Sequence, residues 1–528
     1  MRKRFRILGV TLIALLLAGQ ASAQGLDLRA ATVRDINRAF EAGTLTSEEL
    51  VRRYLARIEA YNEQGPALRA VIVTAPNALE RARELDAERA RSGPRSPLHG
   101  IPVVVKDTVD TIDAPTSGGA VGYANTTPLL DSTVVKNIKE AGAIVLAKGN
   151  LDEFNLGSQG ISSIFGQTMN PYDLSRNPGG SSAGPGVSVN VGFAAIGIGT
   201  ETGASIRSPS SNNSLVGLAP TQGLISRAGI LPISYTQDRA GPMARSVWDA
   251  ALLASYMRGF DAEDLFTHAS LGNVPEQPYT EFLDVDGLKG ARIGVLRDLF
   301  RQGPEYAEIN ALIEGEIDIL RAEGALIFDG LSTGMDLVKF FPLARASTEE
   351  FLEAFRVYAQ RRGDTLPYKT LRELVDSGEM LPDLIDNYER YLERGSTEFD
   401  QEYLARLRNR ENIKSLLVEL MDRYQLDALV HPFKSLAAPP LGTGDRGVRD
   451  NPISAITGLP ALVLPAGVNS EGLPIAMEMM GRPFTEATLF RLGYAYEQAT
   501  RHRVLPNTTP PLPGEHITFD NNQSGSED

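Results

Sequence analysis

Three short stretches carry residue types that could do acyl chemistry. Lys106 closes "GIPVVVKD", just past an apolar, β-branched run. Ser181 and Ser182 sit in "PGGSSAG", and Ser205 sits among small residues in "TETGASIRSPSS". A strand that delivers an amine into a dry site disfavours the ammonium form, so the neutral amine can serve as a base near neutral pH. Glycines around Ser181 and Ser182 permit unusual backbone angles and close approach. Taken singly, each stretch also has an ordinary reading. Lys106 would be a surface lysine closing a strand, the serines part of a flexible loop, and Ser205 part of a polar turn.

Other chemistries find less support. The five histidines are His99, His268, His431, His502 and His516, and no pair has metal-ligand spacing. There is no cysteine, hence no disulfide and no thiolate nucleophile. No phosphate loop occurs, and the Gly-rich "NPGGSSAGPGVSVNVG" lacks the acidic ribose partner of a dinucleotide site. "GSSAG" fits the G-x-S-x-G pattern with Ser182 as nucleophile, a weak match in a chain with 50 glycines. The net charge of −14 argues against a nucleic-acid partner.

These residues need elements to position them. "HGIPVVVKD", "AIVLAKGN", "FAAIGIGTE", "DALVHPF" and "PALVLPAG" read as short buried strands. Residues 26–93 read as helical, with Thr46 and Ser47 placed to cap a second helix, and "STVVKNIKEAG" reads as a further helix. Alternation of helices with short apolar strands predicts an α/β fold with a central mixed, twisted sheet covered on both faces by helices. Residues 260–430 are rich in Leu, Glu and Arg and read as mostly helical, an insertion that covers the sheet and walls a cleft. From Pro506 the tail is Pro-rich, then acidic, and is expected to be loose.

The first 23 residues read as a signal peptide: basic "MRKRFR", the 13-residue apolar run "ILGVTLIALLLAG", and "ASA" before Gln24. Cleavage after Ala23 removes Arg2, Lys3, Arg4 and Arg6 and takes the charge to −18. An exported chain without thiols suits a bacterial periplasm or secretion. No later segment reads as a membrane span.

Blocks of sequence then occur in a telling order. "PLHGIPVVVKD", "AGAIVLAKGNLDEF", "FGQTMNPYDLSRNPGGSSAG", "GTETGASIRSPS" and "GLAPTQGLISRAGILPISYTQDRAGPMARSVWDAA" resemble successive motifs of the amidase signature family of serine hydrolases. The resemblance is densest over residues 97–255, weak over about 260–425, and resumes over 426–482, so that residues 24–505 form one amidase signature domain. It implies the amidase signature fold and a Ser–cis-Ser–Lys triad, with Lys106 as base, Ser181 as relay and Ser205, 24 residues further on, as nucleophile. The turn "TGAS" would point the backbone N–H groups of Thr202, Gly203, Ala204 and Ser205 at one oxygen, forming an oxyanion hole. Neither a metal nor an organic cofactor is implied. Two departures stand out: Ala204 replaces a usual glycine, tolerable only with negative φ, and its methyl could narrow an acyl pocket. Glu201 replaces a usual aspartate and could pair with Arg207.

The substrate is less legible. The signal peptide, "PISYTQDRAGPMARSVWDAA" and "GYAYEQATRHR" are most similar to secreted bacterial peptide amidases, which implies hydrolysis of C-terminal peptide amides. Export argues against the tRNA-dependent amidotransferase component that shares these motifs. Aryl acylamide, lactam, carbamate and fatty-acid amide hydrolases of the same family remain alternatives, as does a catalytically idle binding protein on this fold. Asn155, Gln159 and Ile161 are candidates to line the substrate site. The expected partner is a small-molecule or peptide amide; the oligomeric state is open.

Overall fold

β-Branched and small apolar runs build the middle of the molecule. The computed structural model describes residues 24–394, 397, 399–443, 451–515 and 517–519. In chain order the strands of the main sheet are β1 (Val71–Thr74), β2 (Pro102–Lys106), β3 (Ile144–Gly149), β4 (Ile196–Glu201), β5 (Val216–Ala219), β6 (Arg239–Ala244), β7 (Arg292–Leu296), β8 (Leu326–Leu331), β9 (Ala428–Pro432), β10 (Ala461–Val468) and β11 (Pro474–Met480). They lie in the order β8-β7-β9-β11-β10-β5-β6-β4-β2-β3-β1. Pairing is parallel for β4–β2–β3 and for β8–β7–β9. It is antiparallel across the centre and at the β3–β1 edge.

Every residue of β2, β3 and β4 is buried. Successive side chains of a strand face opposite sides, so both faces of the sheet are covered there. This is the mixed, covered α/β sheet expected from the alternation of elements. Helix α1 (Val33–Glu41) starts at a Thr32–Asp35 capping box. Of the two expected caps of the next helix, Thr46 caps α2 (Ser47–Tyr61), whereas Ser47 is its first helical residue.

Three expectations need correction. The helical reading of 26–93 hides β1, a four-residue β-branched edge strand too short to break the surrounding helical pattern. The stretch 260–430 contributes two parallel strands, β7 and β8, besides its helices. Residues 506–515 are packed rather than loose. Arg57, buried, donates to Glu515 at 2.7 Å and to the Thr509 carbonyl at 3.1 Å. Residues 517–519 then pair antiparallel with 24–26. An ion pair and carbonyl bonds reach across some 450 residues here, which local composition does not reveal. The signal-peptide reading of 1–23 lies outside the described residues. Among the described residues no helix is long and apolar enough to cross a membrane.

Candidate active site

Adjacent parallel strands bring Lys106 beside Thr200. β2 ends on Lys106, and its neighbour β4 ends with Thr200 and Glu201. Lys106 Nζ donates to Ser181 Oγ at 2.6 Å and to Thr200 Oγ1 at 3.0 Å. Thr200 Oγ1 donates in turn to Asn155 Oδ1 at 3.4 Å, and Asn155 Nδ2 donates to the Leu231 carbonyl at 3.2 Å. Ser181 precedes α3 (Ala183–Val191), and the Gly180–Ser181 peptide bond is cis. The loop needs its glycines: a Cβ on Gly179, whose φ is +79°, would stand 2.6 Å from the backbone of Pro209.

Ser205 lies on the turn between β4 and α4 (Arg207–Asn212). Its carbonyl accepts from Ser182 N at 3.2 Å, which ties the turn to the loop bearing Ser181. Lys106 and Ser181 have no solvent exposure, whereas Ser205 retains 5 %. Lys106 and Ser181 are thus sealed, and Ser205 keeps slight solvent access. Among the described residues no group accepts from the backbone N–H of Gly203, Ala204 or Ser205. These donors are free for a ligand oxygen.

Glu201 staples this turn from beneath. Its carboxylate accepts from Ile206 N at 3.1 Å, Arg207 N at 3.2 Å, Arg207 Nε at 2.9 Å and Arg239 Nη2 at 2.8 Å. Burial alone would push this carboxyl up, but the two guanidinia and the two amides together hold it below its ordinary value. Arg207 continues to Glu478 at 2.8 Å. The suggested Glu201–Arg207 pair is therefore present, inside a larger buried charge cluster.

The Ala204 departure resolves in the same turn. Its φ is not positive. Its methyl packs with Phe433, Val463 and Ala476, so it supports the turn and does not narrow an acyl pocket. A Cβ on Gly203, in contrast, would meet no protein atom within 4 Å.

A cavity of about 420 Å³ adjoins the site, with Thr200, Thr202, Asn155 and Leu231 in its wall together with Val357 and Tyr358 of α5 (Ser347–Arg362). The insertion thus walls the cavity, as its sequence suggested. Gln159 turns elsewhere, accepting from Gly442 N at 3.1 Å, and Ile161 is exposed; neither lines the cavity. Ser182 is fully buried, donates to the Thr200 carbonyl at 3.0 Å and accepts from Thr200 N at 3.2 Å. A hydroxyl so occupied between strand and helix is a structural tie, against the G-x-S-x-G reading. Among the described residues no group of three or more His, Asp or Glu is placed to hold a metal ion.

Several residues here escaped the sequence reading. Thr200 is one, and Gln237, Asp238 and Arg239 of "YTQDRAG" are others. All lie within or beside quoted motifs, but their roles depend on contacts between distant segments.

A family model described as Amidase matches residues 49–490. The chain belongs to the amidase family. The X-ray structure of the peptide amidase from Stenotrophomonas maltophilia superposes with a TM-score of 0.80 at 35 % identity, covering 91 % of this chain and 99 % of that one. A probable amidase of Arabidopsis thaliana is 34 % identical over 91 % of this chain and 92 % of its own length. The glutamyl-tRNA(Gln) amidotransferase A-subunit of Chloroflexus aggregans is 33 % identical over 90 % of this chain and 97 % of its own length. The amidase fold matches over 91 % of the chain, and the chain is an amidase acting on C–N bonds.

Proposed function

We propose that this chain is an exported amidase that hydrolyses C-terminal peptide amides to the acid and ammonia through an acyl-serine intermediate. Ser205 Oγ attacks the amide carbonyl. Its proton passes to Ser181 and on to Lys106, and the N–H groups of Thr202 to Ser205 receive the developing oxyanion. The relay returns the proton to the leaving nitrogen, and water repeats the sequence on the acyl-enzyme. The observation that carries this reading is the 2.6 Å contact between Lys106 and Ser181, beside a turn whose backbone donors are unengaged. The peptide amidase likeness supports the substrate class, and the apolar run before "ASA" supports export.

The test is ammonia or amine release by the chain from Gln24 onward, with a peptide C-terminal amide, an anilide, a lactam and an aryl carbamate as substrates. Turnover of the peptide amide that vanishes in Ser205→Ala and Lys106→Ala is expected. Turnover of the anilide, lactam or carbamate alone would overturn the substrate assignment and keep the mechanism. No Ser205-dependent turnover, together with no labelling of Ser205 by a fluorophosphonate, would overturn the mechanism.

A further inference from the structure

The turn that presents Ser205 is gripped at Thr202 from two directions. Thr202 Oγ1 donates to Asp238 Oδ1 at 2.5 Å. The Thr202 carbonyl accepts from Gln237 Nε2 at 2.9 Å. Both grips come from one loop, and that loop is itself fixed. Asp238 Oδ2 accepts from Ile233 N at 2.7 Å and Ser234 N at 2.9 Å. Gln237 Oε1 accepts from Ala346 N at 2.9 Å, at the head of α5. Glu350, on the first turn of α5, takes the Thr236 amide at 3.0 Å and also the Ser234 hydroxyl. The same helix lines the cavity further along with Ala354, Val357 and Tyr358.

We propose that Gln237 and Asp238 are positioning residues that clamp Thr202, and that Gln237 couples the nucleophile turn to the cavity-lining helix of the insertion. This rests on the amidase reading of Ser205 and its turn. Gln237 is 2 % exposed and its amide is used at both ends, donor to the turn and acceptor from the helix. Two bonds in opposite senses fix the amide plane, so a displacement of the helix head moves the Thr202 carbonyl with it. The next backbone donors in the chain, at Gly203, Ala204 and Ser205, are those placed to meet the oxyanion. Oxyanion donors act through preorganisation, and small misplacements carry large kinetic costs.

The experiment uses the full mature chain. Gln237→Met keeps length and volume but removes both bonds; Thr202→Val removes the hydroxyl, and Thr202→Ser restores it. Kinetics on a turned-over amide are read beside affinity for a peptide aldehyde, which forms a tetrahedral adduct on the serine, and beside the thermal midpoint. A drop in kcat of about 10- to 100-fold is expected for Gln237→Met and Thr202→Val, with KM changed less than about threefold. Aldehyde affinity should fall in parallel with kcat/KM, and Thr202→Ser should recover most of kcat. A lowered midpoint with unchanged kcat in the folded fraction would overturn the clamp and leave the amidase reading standing. Absence of Ser205-dependent turnover in the wild type would overturn both.

Discussion

Replacing Glu201 by glutamine tests the idea that buried charge holds the Ser205 turn in shape. The carboxylate meets four donors, two backbone amides at 3.1 and 3.2 Å and two guanidinium nitrogens at 2.9 and 2.8 Å. An amide has one acceptor oxygen, so either orientation of the introduced glutamine sets its NH₂ against two donors. Two charge-assisted bonds are lost at about 1.5–3 kcal/mol each. Removing one partner of a buried ion cluster costs about 3–5 kcal/mol by the same reasoning, because Arg207 and Arg239 remain buried. The expected loss is therefore about 3–5 kcal/mol at pH 7, read as urea unfolding of Glu201→Gln against wild type. The sign with pH is fixed by the lowered carboxyl. The stabilisation is fully present above the unfolded value of about 4.3 and is lost as pH falls through the lower folded value. The gap between the two proteins should shrink in that acid window. A gap below about 1 kcal/mol at pH 7 would refute the claim that this charge shapes the turn.

Gly203 and Ala204 should behave oppositely. Gly203→Ala points a methyl into open cleft and is expected to lower kcat/KM with an unchanged unfolding midpoint, whereas Ala204→Gly empties a packed site and should cost about 1 kcal/mol of stability. Equal loss of activity without loss of stability in both would contradict the packing described. Burial pushes Asp249 up to about 7. Its ionised form then costs about 4 kcal/mol in the folded state, a penalty absent below the unfolded value of about 3.9 and complete above pH 7. Asp249→Asn should therefore gain stability relative to wild type as pH rises from about 5 to about 8, and parallel stability curves would refute it.

What could be read from the sequence was the part carried by local runs. Val103 to Val105 announce a buried strand because β-branched residues in succession fit a covered sheet, and the strand's end then places Lys106. The glycines before Ser181 announce close approach, and the structure supplies the neighbour, Pro209. Strand β1 was hidden because four residues between two helices carry little periodicity. Thr200, Gln237 and Asp238 were hidden for another reason. A threonine, a glutamine and an aspartate in polar turns look alike whether they bond solvent or a catalytic segment. The partners that tie them to distant segments lie from 18 to more than 100 residues away, and no spacing rule connects them.

The same distinction explains why the positions of the proposed triad are legible while the substrate is not. Lys106, Ser181 and Ser205 come from motifs whose residue types are set by chemistry. The cavity wall is shared with α5, whose apolar contributions Ala354 and Val357 are set by shape alone. Yet α5 is not a detachable cover. Asp110, four residues beyond Lys106, accepts from Tyr358 at 2.8 Å and from Arg362 at 2.9 Å, and Arg362 also donates to the Thr126 carbonyl at 2.9 Å. Asp110 and Arg362 are almost fully buried. A buried pair broken on one side leaves an uncompensated charge, so the far end of α5 is anchored as well as its head, which Gln237 holds. The helix therefore spans from the loop after the lysine strand to the turn that bears Ser205. On its cavity face Tyr358 belongs to the far anchor, but Ala354 and Val357 can change without touching either anchor, which lets that part of the wall vary while the Ser205 turn keeps its geometry.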